Sequence, residues 1–466
     1  MSNPWDLETD IVVVGSGLAG LAAAIEARLA GCTVMVLEKM KGFGGNSTIS
    51  DGCMAAAGTD FQRDAGIEDS PELMYQDMLA AGLGLNQPDL VRVVTQKSNE
   101  TFEWARDFLG VEYQERVVWF GGHSLARSHA TINRTGADII NQQLKKARQL
   151  GVEIKTKCHL QKIHKDQSGR VTGVHVRQGY HYPDTASGEV RRVRARKALV
   201  LATGGFGNDI HFRSAQDPRL DAGIDSTNKR ATTGGALREA IRIGALPVHL
   251  SWIQLGPWTS PDEKGYGIGP DFSAYIAFPY GIIVDPETGC RMVNEMADRK
   301  IRADALLHVG HPCVCLVDQQ GVDASRLGIE HCVRKGVVKQ FDTLQELAAG
   351  YGMPTDAFEE TVNRYNQFVH DQFDRDFGKP IYEKAAPIQQ APYYAMRIWP
   401  KVHYTMGGIL INAQAQVLDL NQQPIPGFYA AGEVAGGVHG ACRLGSCAII
   451  DCLVFGRIAG QEAAKL

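Results

Sequence analysis

One continuous stretch, "DIVVVGSGLAGLAAAIEARLAGCTVMVLEK" at residues 10–39, constrains the fold of this 466-residue chain more than any other. Residues 10–14 form an apolar run that ends at a glycine, which is typical of a buried parallel strand. Residues 20–29 are rich in alanine and predict a helix, and residues 33–37 predict a second strand. A strand, a glycine turn, a helix and a second strand together predict an α/β dinucleotide-binding fold.

The glycine turn has the spacing G-x-G-x-x-G, formed by Gly15, Gly17 and Gly20. The first glycine permits the tight bend, the second lets a pyrophosphate approach the backbone, and the third lets the helix pack closely on the strand. The N-terminus of the helix offers N–H groups to the phosphate. Glu38 ends the second strand, where its carboxylate can accept hydrogen bonds from a ribose hydroxyl, and Lys39 follows it. We therefore expect these five residues to bind the cofactor.

Three further glycine-rich segments favour FAD over NAD as the cofactor. They lie at residues 42–59, 198–209 and 425–437, and each is next to a predicted strand. Three separate loops that converge on one extended ligand suit FAD better than NAD. The candidate contacts in these segments are Gly45, Asn46, Ser47, Gly52, Thr203, Gly204 and Glu433.

Composition narrows the classes of partner. The chain has 44% hydrophobic and 21% charged residues and a formal net charge of −4, so we expect a globular protein that binds no nucleic acid. No apolar run has the length that crosses a bilayer, so we expect no membrane insertion. The ten cysteines form no disulfide framework and no metal-binding pattern, which favours a cytoplasmic chain without metal. The N-terminus shows no secretory signal, although a periplasmic chain with its signal removed would look the same.

Taken together, these segments resemble the flavoproteins of the fumarate reductase/succinate dehydrogenase family, above all the soluble fumarate reductases of flavocytochrome c type. The resemblance is most specific in "GGNSTISDGCMAAAGT" (44–59), "RMVNEMADR" (291–299), "HYTMGG" (403–408) and "IPGFYAAGEVAGGVHGACRLGSCAIIDCLVFGR" (425–457). It implies an α/β fold with a Rossmann-like FAD-binding domain (1–233 and 386–466), interrupted by an α+β capping domain (234–385). The active site of the family lies between these domains at the flavin ring.

The resemblance also bears on how the FAD is held and reduced. Membrane-bound members attach FAD covalently to a histidine, and Ser47 stands at that place in this chain, so non-covalent FAD is expected. The chain has no haem-attachment, FMN-attachment or iron–sulfur motif and no second nucleotide fingerprint. Electrons are therefore expected from an external donor, which is a cytochrome, a flavin or a redox protein.

The family moves a hydride between flavin N5 and one carbon of an activated C=C bond, and a proton to the neighbouring carbon. Arg443 matches the arginine that holds the substrate carboxylate, and its planar guanidinium suits a bidentate contact. His403 matches the histidine that shares this task, and Arg299 matches the arginine that donates the proton. The pKa of arginine lies above 12, so Arg299 works only as a positioned relay that is quickly reprotonated. The alternative for Arg299 is a salt bridge with Asp298 or Glu295.

The C-terminal segment carries the remaining expected contacts. Glu433 matches a flavin-contacting glutamate, Thr405 is expected to contact substrate, and Leu444 and Cys447 are expected to contact the cofactor. Cys442, Cys447 and Cys452 also raise the alternative of a metal site or a redox pair. Their spacing does not place three thiols on one ligand face, so packing roles are expected.

The segment "IQLGPW" (253–258) departs from the family pattern. Gly256 stands where fumarate reductases have the histidine that holds the second carboxylate, and Trp258 stands where they have a threonine. The loss of this anion contact and the gain of an indole turn a polar subsite into an apolar one, where a buried carboxylate would lack partners.

The path that delivers protons to Arg299 also departs from the family pattern. Tyr275 and Phe278 replace the glutamate and arginine that feed the donor arginine, so either Tyr275 or Tyr280 relays the proton or solvent reaches Arg299 by another route. Together with Trp252 and Trp258, Tyr275 and Phe278 are the candidates for an aromatic subsite.

The first hypothesis is therefore an FAD-dependent reductase of an α,β-unsaturated carboxylate, in particular a monocarboxylate or an enoate with an apolar or aryl substituent. The second is a fumarate reductase with a rebuilt clamp, in which other residues hold the second carboxylate. The third is a flavin dehydrogenase of a ketone or steroid-type substrate. The fourth hypothesis belongs to a different functional class: the chain acts as the flavin subunit of a larger redox complex. Co-purification of a redox protein favours the subunit, and turnover by the isolated chain with an artificial donor favours an autonomous enzyme.

Overall fold

The computed structural model describes residues 5–466. The strands of this part of the chain are β1 (Leu7–Val14), β2 (Val34–Leu37), β3 (Cys53–Ala55), β4 (Tyr113–Val118), β5 (Ser128–Thr131), β6 (Glu153–Lys155), β7 (Cys158–Lys165), β8 (Val171–Gln178), β9 (Glu189–Leu201), β10 (Pro247–Val248), β11 (Ile253–Gly256), β12 (Ile282–Val284), β13 (Cys313–Asp318), β14 (Lys339–Phe341), β15 (Tyr393–Ile398), β16 (Lys401–Thr405), β17 (Gly408–Leu410), β18 (Gln416–Leu418), β19 (Pro424–Ala430) and β20 (Ala435–Gly436).

The helices are α1 (Leu18–Leu29), α2 (Asp60–Asp64), α3 (Pro71–Ala81), α4 (Pro88–Gln96), α5 (Ser98–Glu103), α6 (Gly136–Gln149), α7 (Ile210–Gln216), α8 (Gly235–Arg242), α9 (Gly269–Phe272), α10 (Phe278–Tyr280), α11 (Arg299–Val309), α12 (Gln319–Ser325), α13 (Glu330–Arg334), α14 (Leu344–Tyr351), α15 (Thr355–Asp371) and α16 (Cys447–Ala464). A 3₁₀ turn covers Gly45–Ile49, and π-helical turns cover Trp104–Phe108 and Ser273–Ala277.

The chain packs as two compact units. The first contains the chain up to Asp221, Lys229–Ile253 and Tyr404–Leu466, and the second contains Ala222–Asn228 and Gln254–His403. These bounds differ from the expected ones at 234 and 385, because α8 packs against β7 in the first unit and β15 pairs with β13 and β14 in the second. The assignment of one unit to FAD and the other to substrate stays a prediction.

A central parallel sheet forms the core of the first unit. Its strand order is β19-β9-β1-β2-β6, and all neighbours in this series are parallel. An antiparallel strand, β18, extends the sheet beyond β19, and the β7–β8 hairpin pairs with β9. Val12 pairs with Met35, and both are almost fully buried, as expected where helices cover both faces of a parallel sheet. This unit confirms the predicted α/β fold.

Small residues let α1 and α16 pack with their backbones in contact. A Cβ atom at Gly456 would lie 2.5 Å from the carbonyl oxygen of Ala19, and one at Gly460 would lie 2.3 Å from that of Ala23. The alanines of α1 and the glycines of α16 therefore form complementary packing surfaces. This contact fixes the position of α1, whose N-terminus directly follows the glycine turn.

The basic run at residues 191–197 lies on β9 and is neutralised by its neighbouring strand. Arg192, Arg194 and Arg196 pair with Asp6, Glu8 and Asp10, at nitrogen–oxygen distances of 3.5, 3.8 and 3.0 Å. Half-exposed pairs of this kind contribute little to stability, on the order of 0–1 kcal/mol each. The acidic residues of this neighbouring segment therefore offset the positive charge of the run.

The second unit has an antiparallel sheet in the order β12-β13-β15-β14, flanked by helices. The chain enters this unit along β11 and leaves it along β16, and these two strands are paired. A buried ion network stabilises the unit: Arg291 binds Glu295 and Asp374 at 2.8 and 2.9 Å, and the ammonium of Lys379 lies 3.8 Å from Glu295. Among residues 5–466, no helix is both long and apolar enough to span a membrane.

Candidate functional site

The carboxyl ends of four strands in the first unit meet at one cleft. The cleft has a volume of about 1060 Å³, its open mouth included, and is lined by residues that follow β1, β2, β9 and β19. The carboxyl edge of a parallel sheet, where strand order reverses, is the usual place for a nucleotide in this fold. Predicted cofactor residues that line it are Gly15, Gly17, Glu38, Lys39, Gly45, Asn46, Ser47, Thr203, Gly204 and Glu433.

The glycine turn has the geometry that its spacing predicts. Gly15 has φ +107°, a region that other residues rarely adopt. A Cβ atom at Gly20 would lie 2.0 Å from the carbonyl oxygen of Gly15, so only glycine lets α1 approach the strand end this closely. Gly20 therefore acts through packing and does not itself line the cleft.

Glu38 is fixed by the turn that precedes α1. Its Oε2 accepts hydrogen bonds from Ser16 N at 3.1 Å and Ser16 Oγ at 2.7 Å, and its Oε1 accepts from Met40 N at 2.8 Å. Ser16 Oγ in turn accepts a hydrogen bond from Gly44 N at 3.0 Å. The carboxylate is thus held at the carboxyl end of β2 with its orientation set by the backbone.

Two lysines give the cleft a basic wall. Lys39 donates to the Ala231 carbonyl oxygen and to Thr233 Oγ1, and Lys229 donates to Thr48 Oγ1 at 2.6 Å. Burial lowers the pKa of both ammonium groups below the ordinary 10.5. A phosphate in the cleft would meet positive charge that solvent screens only weakly.

Asn46 connects this wall to the loop that follows β2. Its Oδ1 accepts hydrogen bonds from Lys229 N at 2.9 Å and Thr232 Oγ1 at 3.1 Å. Ser47 Oγ accepts a hydrogen bond from Leu18 N, at the start of α1, at 3.3 Å. Both side chains therefore hold the 3₁₀ turn against neighbouring segments of the first unit.

His159 lines the cleft but was not predicted from the sequence. Its ring stacks on Tyr180 with centroids 4.6 Å apart, and burial lowers its pKa to about 4, with Lys39 and Arg177 lowering it further. The imidazole is therefore neutral at neutral pH. Lys229, Thr232 and Cys452 also line the cleft without having been predicted. None of these residues has a local spacing signal, since each reaches the cleft through the topology of the sheet.

The residues of the cleft fit FAD. A Cβ atom at Gly45, Gly204 or Gly235 would meet no atom within 4 Å, so bare backbone borders open space at three places along the cleft. A carboxylate suited to a ribose, buried cations and the N-terminus of α1 supply the groups that a dinucleotide requires. Of these groups, Glu38, Lys39 and the helix N-terminus were predicted from the sequence, whereas Lys229 was not.

Besides Gly20, three predicted cofactor residues lie outside the lining of the cleft. Gly52 has φ +68° and packs tightly against Thr135, where a Cβ atom would lie 2.7 Å from the backbone. Leu444 and Cys447 are buried in the hydrophobic core of the first unit. These residues hold the loops in place and are not part of the cleft surface as it stands.

Glu433 and Thr405 form a pair at the end of the cleft. Thr405 N and Oγ1 both donate to Glu433 Oε1, at 2.9 and 3.2 Å. Burial raises the pKa of Glu433, and the hydrogen bonds from the backbone of Thr405 and Gly205 oppose that shift. A Cβ atom at Gly205 would lie 2.1 Å from Thr405 Oγ1, so this residue must be glycine for the pair to form.

Arg443 lies in the first unit on the loop that leads into α16. Its Nη1 donates to the Leu444 carbonyl oxygen at 3.0 Å, and its guanidinium carbon lies 4.5 Å from the ring centroid of Tyr404. Cys442 precedes Arg443 on the loop, Cys447 and Cys452 lie on α16, and none of the ten cysteines forms a disulfide. Burial raises the pKa of the Cys452 thiol well above 9, so this thiol is unreactive.

His403 and Arg299 belong to the second unit, where they share one aromatic neighbour. The guanidinium carbon of Arg299 lies 4.3 Å from the ring centroid of Trp258, and the His403 ring meets the same indole edge-on at 4.9 Å. A Cβ atom at Gly256 would lie 3.3 Å from the indole. The indole is 5% exposed and fills the space beside Gly256.

Thr227 supports this cluster and was not predicted from the sequence. Its Oγ1 lies 2.8 Å from Nδ1 of His403, within hydrogen-bonding distance. Asn228 also reaches the segment, since its side chain donates to the His403 carbonyl oxygen at 3.2 Å. Residues 222–228 join the second unit from a distant part of the chain, which explains why no local pattern signals them.

The carboxylates near Arg299 have defined roles. Asp298 caps α11 by accepting a hydrogen bond from Ile301 N at 3.0 Å. Glu295 is fully buried in the ion network with Arg291.

The other aromatic candidates are divided between the units. Tyr275 lies in the π-helical turn, and Phe278 begins α10, where the guanidinium carbon of Arg302 lies 4.8 Å from its ring centroid. Trp252 lies in the first unit, where its backbone N donates to the His249 carbonyl oxygen.

Known proteins resemble this chain along nearly its whole length. A family model described as an FAD binding domain matches residues 10–449. The chain is 42% identical over 468 residues to the acrylate reductase flavoprotein subunit of Shewanella woodyi, covering 98% of this chain and 91% of that protein. It is 35% identical over 471 residues to urocanate reductase of Eggerthella lenta, covering 98% of this chain and 75% of that protein. Among solved structures, the open conformation of a flavocytochrome c3 fumarate reductase matches with a TM-score of 0.79 and 32% identity, covering 99% of this chain and 79% of that one.

Proposed function

Because the chain belongs to the FAD-binding flavoprotein family of the fumarate reductases, we propose that it reduces the activated C=C bond of an α,β-unsaturated carboxylate. The observation that carries this proposal is the match along nearly the whole chain to an acrylate reductase flavoprotein subunit. The similarity to a urocanate reductase supports the same reaction class, because acrylate and urocanate are both unsaturated monocarboxylates. Bound FAD, once reduced by two electrons from an external donor, would supply the hydride for such a reduction through its N5 atom.

Arg443 is assigned to the substrate carboxylate. Its guanidinium carbon lies over the Tyr404 ring, 4.5 Å from the centroid, and two parallel N–H donors of a guanidinium match a carboxylate. Binding the carboxylate also withdraws electrons from the conjugated C=C bond, which favours attack at the β carbon.

His403 is assigned to substrate binding and Arg299 to proton donation. Thr227 beside Nδ1 fixes the ring orientation of His403, so that Nε2 is the nitrogen available to substrate. Trp258 holds the Arg299 guanidinium by a cation–π contact, which limits its motion while it transfers a proton. The positioned guanidinium is reprotonated at once, because its pKa lies far above neutral pH.

The preference for a monocarboxylate follows from Gly256 and Trp258. No side chain at residue 256 offers a contact to a second carboxylate, and the buried indole occupies the adjacent space. A dicarboxylate such as fumarate would place its second charge against an apolar ring, which costs several kcal/mol without a partner. Fumarate reduction by a rebuilt clamp is the alternative that the test below distinguishes.

We further propose that FAD is held without a covalent bond and is reduced by an external donor in the cytoplasm. Ser47 is engaged with Leu18 N and is not a residue type that links to FAD in this family. None of the ten cysteines forms a disulfide, which suits a reducing compartment. The non-covalent attachment is checked by acid precipitation, which should release the yellow colour into the supernatant, whereas a yellow pellet would contradict it.

The proposed activity is tested by steady-state turnover of the isolated chain with reduced methyl viologen as electron donor. Acrylate, cinnamate, urocanate, fumarate and a cyclic enone form the substrate panel. We expect turnover of the monocarboxylates and slower turnover of fumarate, with activity lost in Arg299→Ala and Arg443→Ala. Rapid turnover of fumarate alone would replace the proposal by the rebuilt clamp, and turnover of the enone alone would replace it by a ketone-type activity.

A further inference from the structure

A buried stack of four side chains in the first unit contains Arg443. Its guanidinium carbon lies 4.5 Å from the ring centroid of Tyr404, and the His439 ring meets the same tyrosine edge-on, with centroids 5.6 Å apart and planes at 80°. Nε2 of His439 lies 3.2 Å from Oδ2 of Asp451, in α16. The four residues are between 2% and 6% exposed, so water contributes little to any of these contacts.

The backbone around Arg443 is held by other contacts. Asn86 Nδ2 donates to the Val438 carbonyl oxygen at 2.8 Å, and Ala441 N donates to the Gly82 carbonyl oxygen at 3.0 Å. These bonds fix the main chain of the loop. The side chain of Arg443 is held by its own contacts, which include the hydrogen bond from Nη1 to the Leu444 carbonyl oxygen and the contact with the Tyr404 ring. Ordering such a long side chain only on binding would cost conformational entropy.

Tyr404 can hold the Arg443 guanidinium in one orientation before an anionic ligand binds. A guanidinium that stacks on an aromatic ring uses its face for the ring and keeps its edge N–H groups for a carboxylate. The imidazole of His439 contacts the Tyr404 ring edge-on. The contact between His439 and Asp451 in turn fixes this imidazole to α16. A series of contacts therefore connects Asp451 on α16 to the guanidinium of Arg443.

We propose that Tyr404 is the positioning residue of Arg443, and that the His439–Asp451 pair in turn holds Tyr404. This inference rests on the proposed function, in which Arg443 binds the substrate carboxylate. It adds a pre-ordered support to that role. Loss of the aromatic ring loosens the guanidinium, weakens carboxylate binding and leaves the chemical step largely intact.

The test is the steady-state KM and kcat for acrylate of three variants of the FAD-loaded chain. Tyr404→Leu removes the ring and is expected to raise KM about tenfold while kcat stays within about twofold. Tyr404→Phe keeps the ring and is expected to restore KM to within about twofold of the wild type. His439→Gln keeps a hydrogen-bonding group toward Asp451 but removes the edge-on ring, and a smaller rise in KM of about threefold is expected.

Tyr429→Leu is the matched control, because Tyr429 is an equally buried tyrosine of the first unit, on β19. It should lower the melting temperature without changing KM. Equal KM values for Tyr404→Leu and Tyr429→Leu would overturn the inference, as would a Tyr404→Phe variant as impaired as Tyr404→Leu.

Failure of the proposed function has a different signature. If the wild type turns over no unsaturated acid, the proposed function fails. The positioning role of Tyr404 is then tested by the affinity for propionate, measured through the absorbance of the bound flavin. Binding about tenfold weaker in Tyr404→Leu than in the wild type would still support the positioning role. Equal binding in the two proteins, or no binding to the wild type, would overturn it.

Discussion

Thr227 Oγ1 lies 2.8 Å from Nδ1 of His403, which makes a threonine from a distant segment the partner of the histidine proposed to bind substrate. Thr227→Val removes this hydroxyl with little change of shape, so the imidazole loses the partner that sets its orientation. We expect kcat/KM for the unsaturated acid to fall roughly tenfold, the effect of about 1.4 kcal/mol. Steady-state kinetics measure it, and Thr227→Ser, which keeps the hydroxyl, should remain within about twofold of the wild type. Equal losses in both variants would point to packing instead.

Trp258 is expected to set selectivity against dicarboxylates. Trp258→Thr opens the space beside Gly256 and removes the ring that contacts Arg299. We expect the rate for acrylate to fall and the ratio of fumarate to acrylate rates to rise by about tenfold or more. Trp258→Phe, which keeps an aromatic ring, should change the ratio less. An unchanged ratio in Trp258→Thr would show that selectivity arises elsewhere.

The buried His129 predicts a loss of stability in mild acid. Burial lowers the pKa of His129 from the ordinary 6.5 to about 4. Between these two values the unfolded chain binds a proton that the folded chain does not, so stability falls as pH decreases from 6.5 to about 4. The slope from this group approaches about 1.4 kcal/mol per pH unit. His129→Gln should flatten the slope in urea unfolding across this range, whereas parallel curves for variant and wild type would contradict the assignment.

Gly20→Ala tests the packing role of the third glycine. Its Cβ atom would lie 2.0 Å from the carbonyl oxygen of Gly15, so α1 must move away from the strand end that forms the cleft. We expect soluble protein to carry little FAD, measured as the ratio of flavin to protein absorbance. Gly42→Ala is the control, because a Cβ atom there would meet nothing within 4 Å. A fully yellow Gly20→Ala protein would contradict the geometry.

The sequence predicted the parts of the site whose residues are close together along the chain. Gly15 and Glu38 line the cleft as expected, because a strand–turn–helix–strand unit places both at one sheet edge. Thr227 and His159 were missed, since each is brought to its neighbours by pairing between distant segments and carries no local pattern. Leu444 was assigned to the cofactor by its motif, yet it is buried in the hydrophobic core of the first unit. The compact units do not divide at residue 234, because α8 packs against the hairpin of the first unit; the division into FAD-binding and capping domains stays a prediction.

The most direct test of the account is a single-turnover measurement on the wild-type chain. The flavin is photoreduced without oxygen, and its reoxidation is followed at the visible absorbance band after mixing with acrylate or with fumarate. Reoxidation by acrylate should be at least about tenfold faster than by fumarate, because residue 256 has no side chain to contact a second carboxylate and the Trp258 indole borders it. Faster reoxidation by fumarate would contradict the account and assign this chain to dicarboxylate reduction.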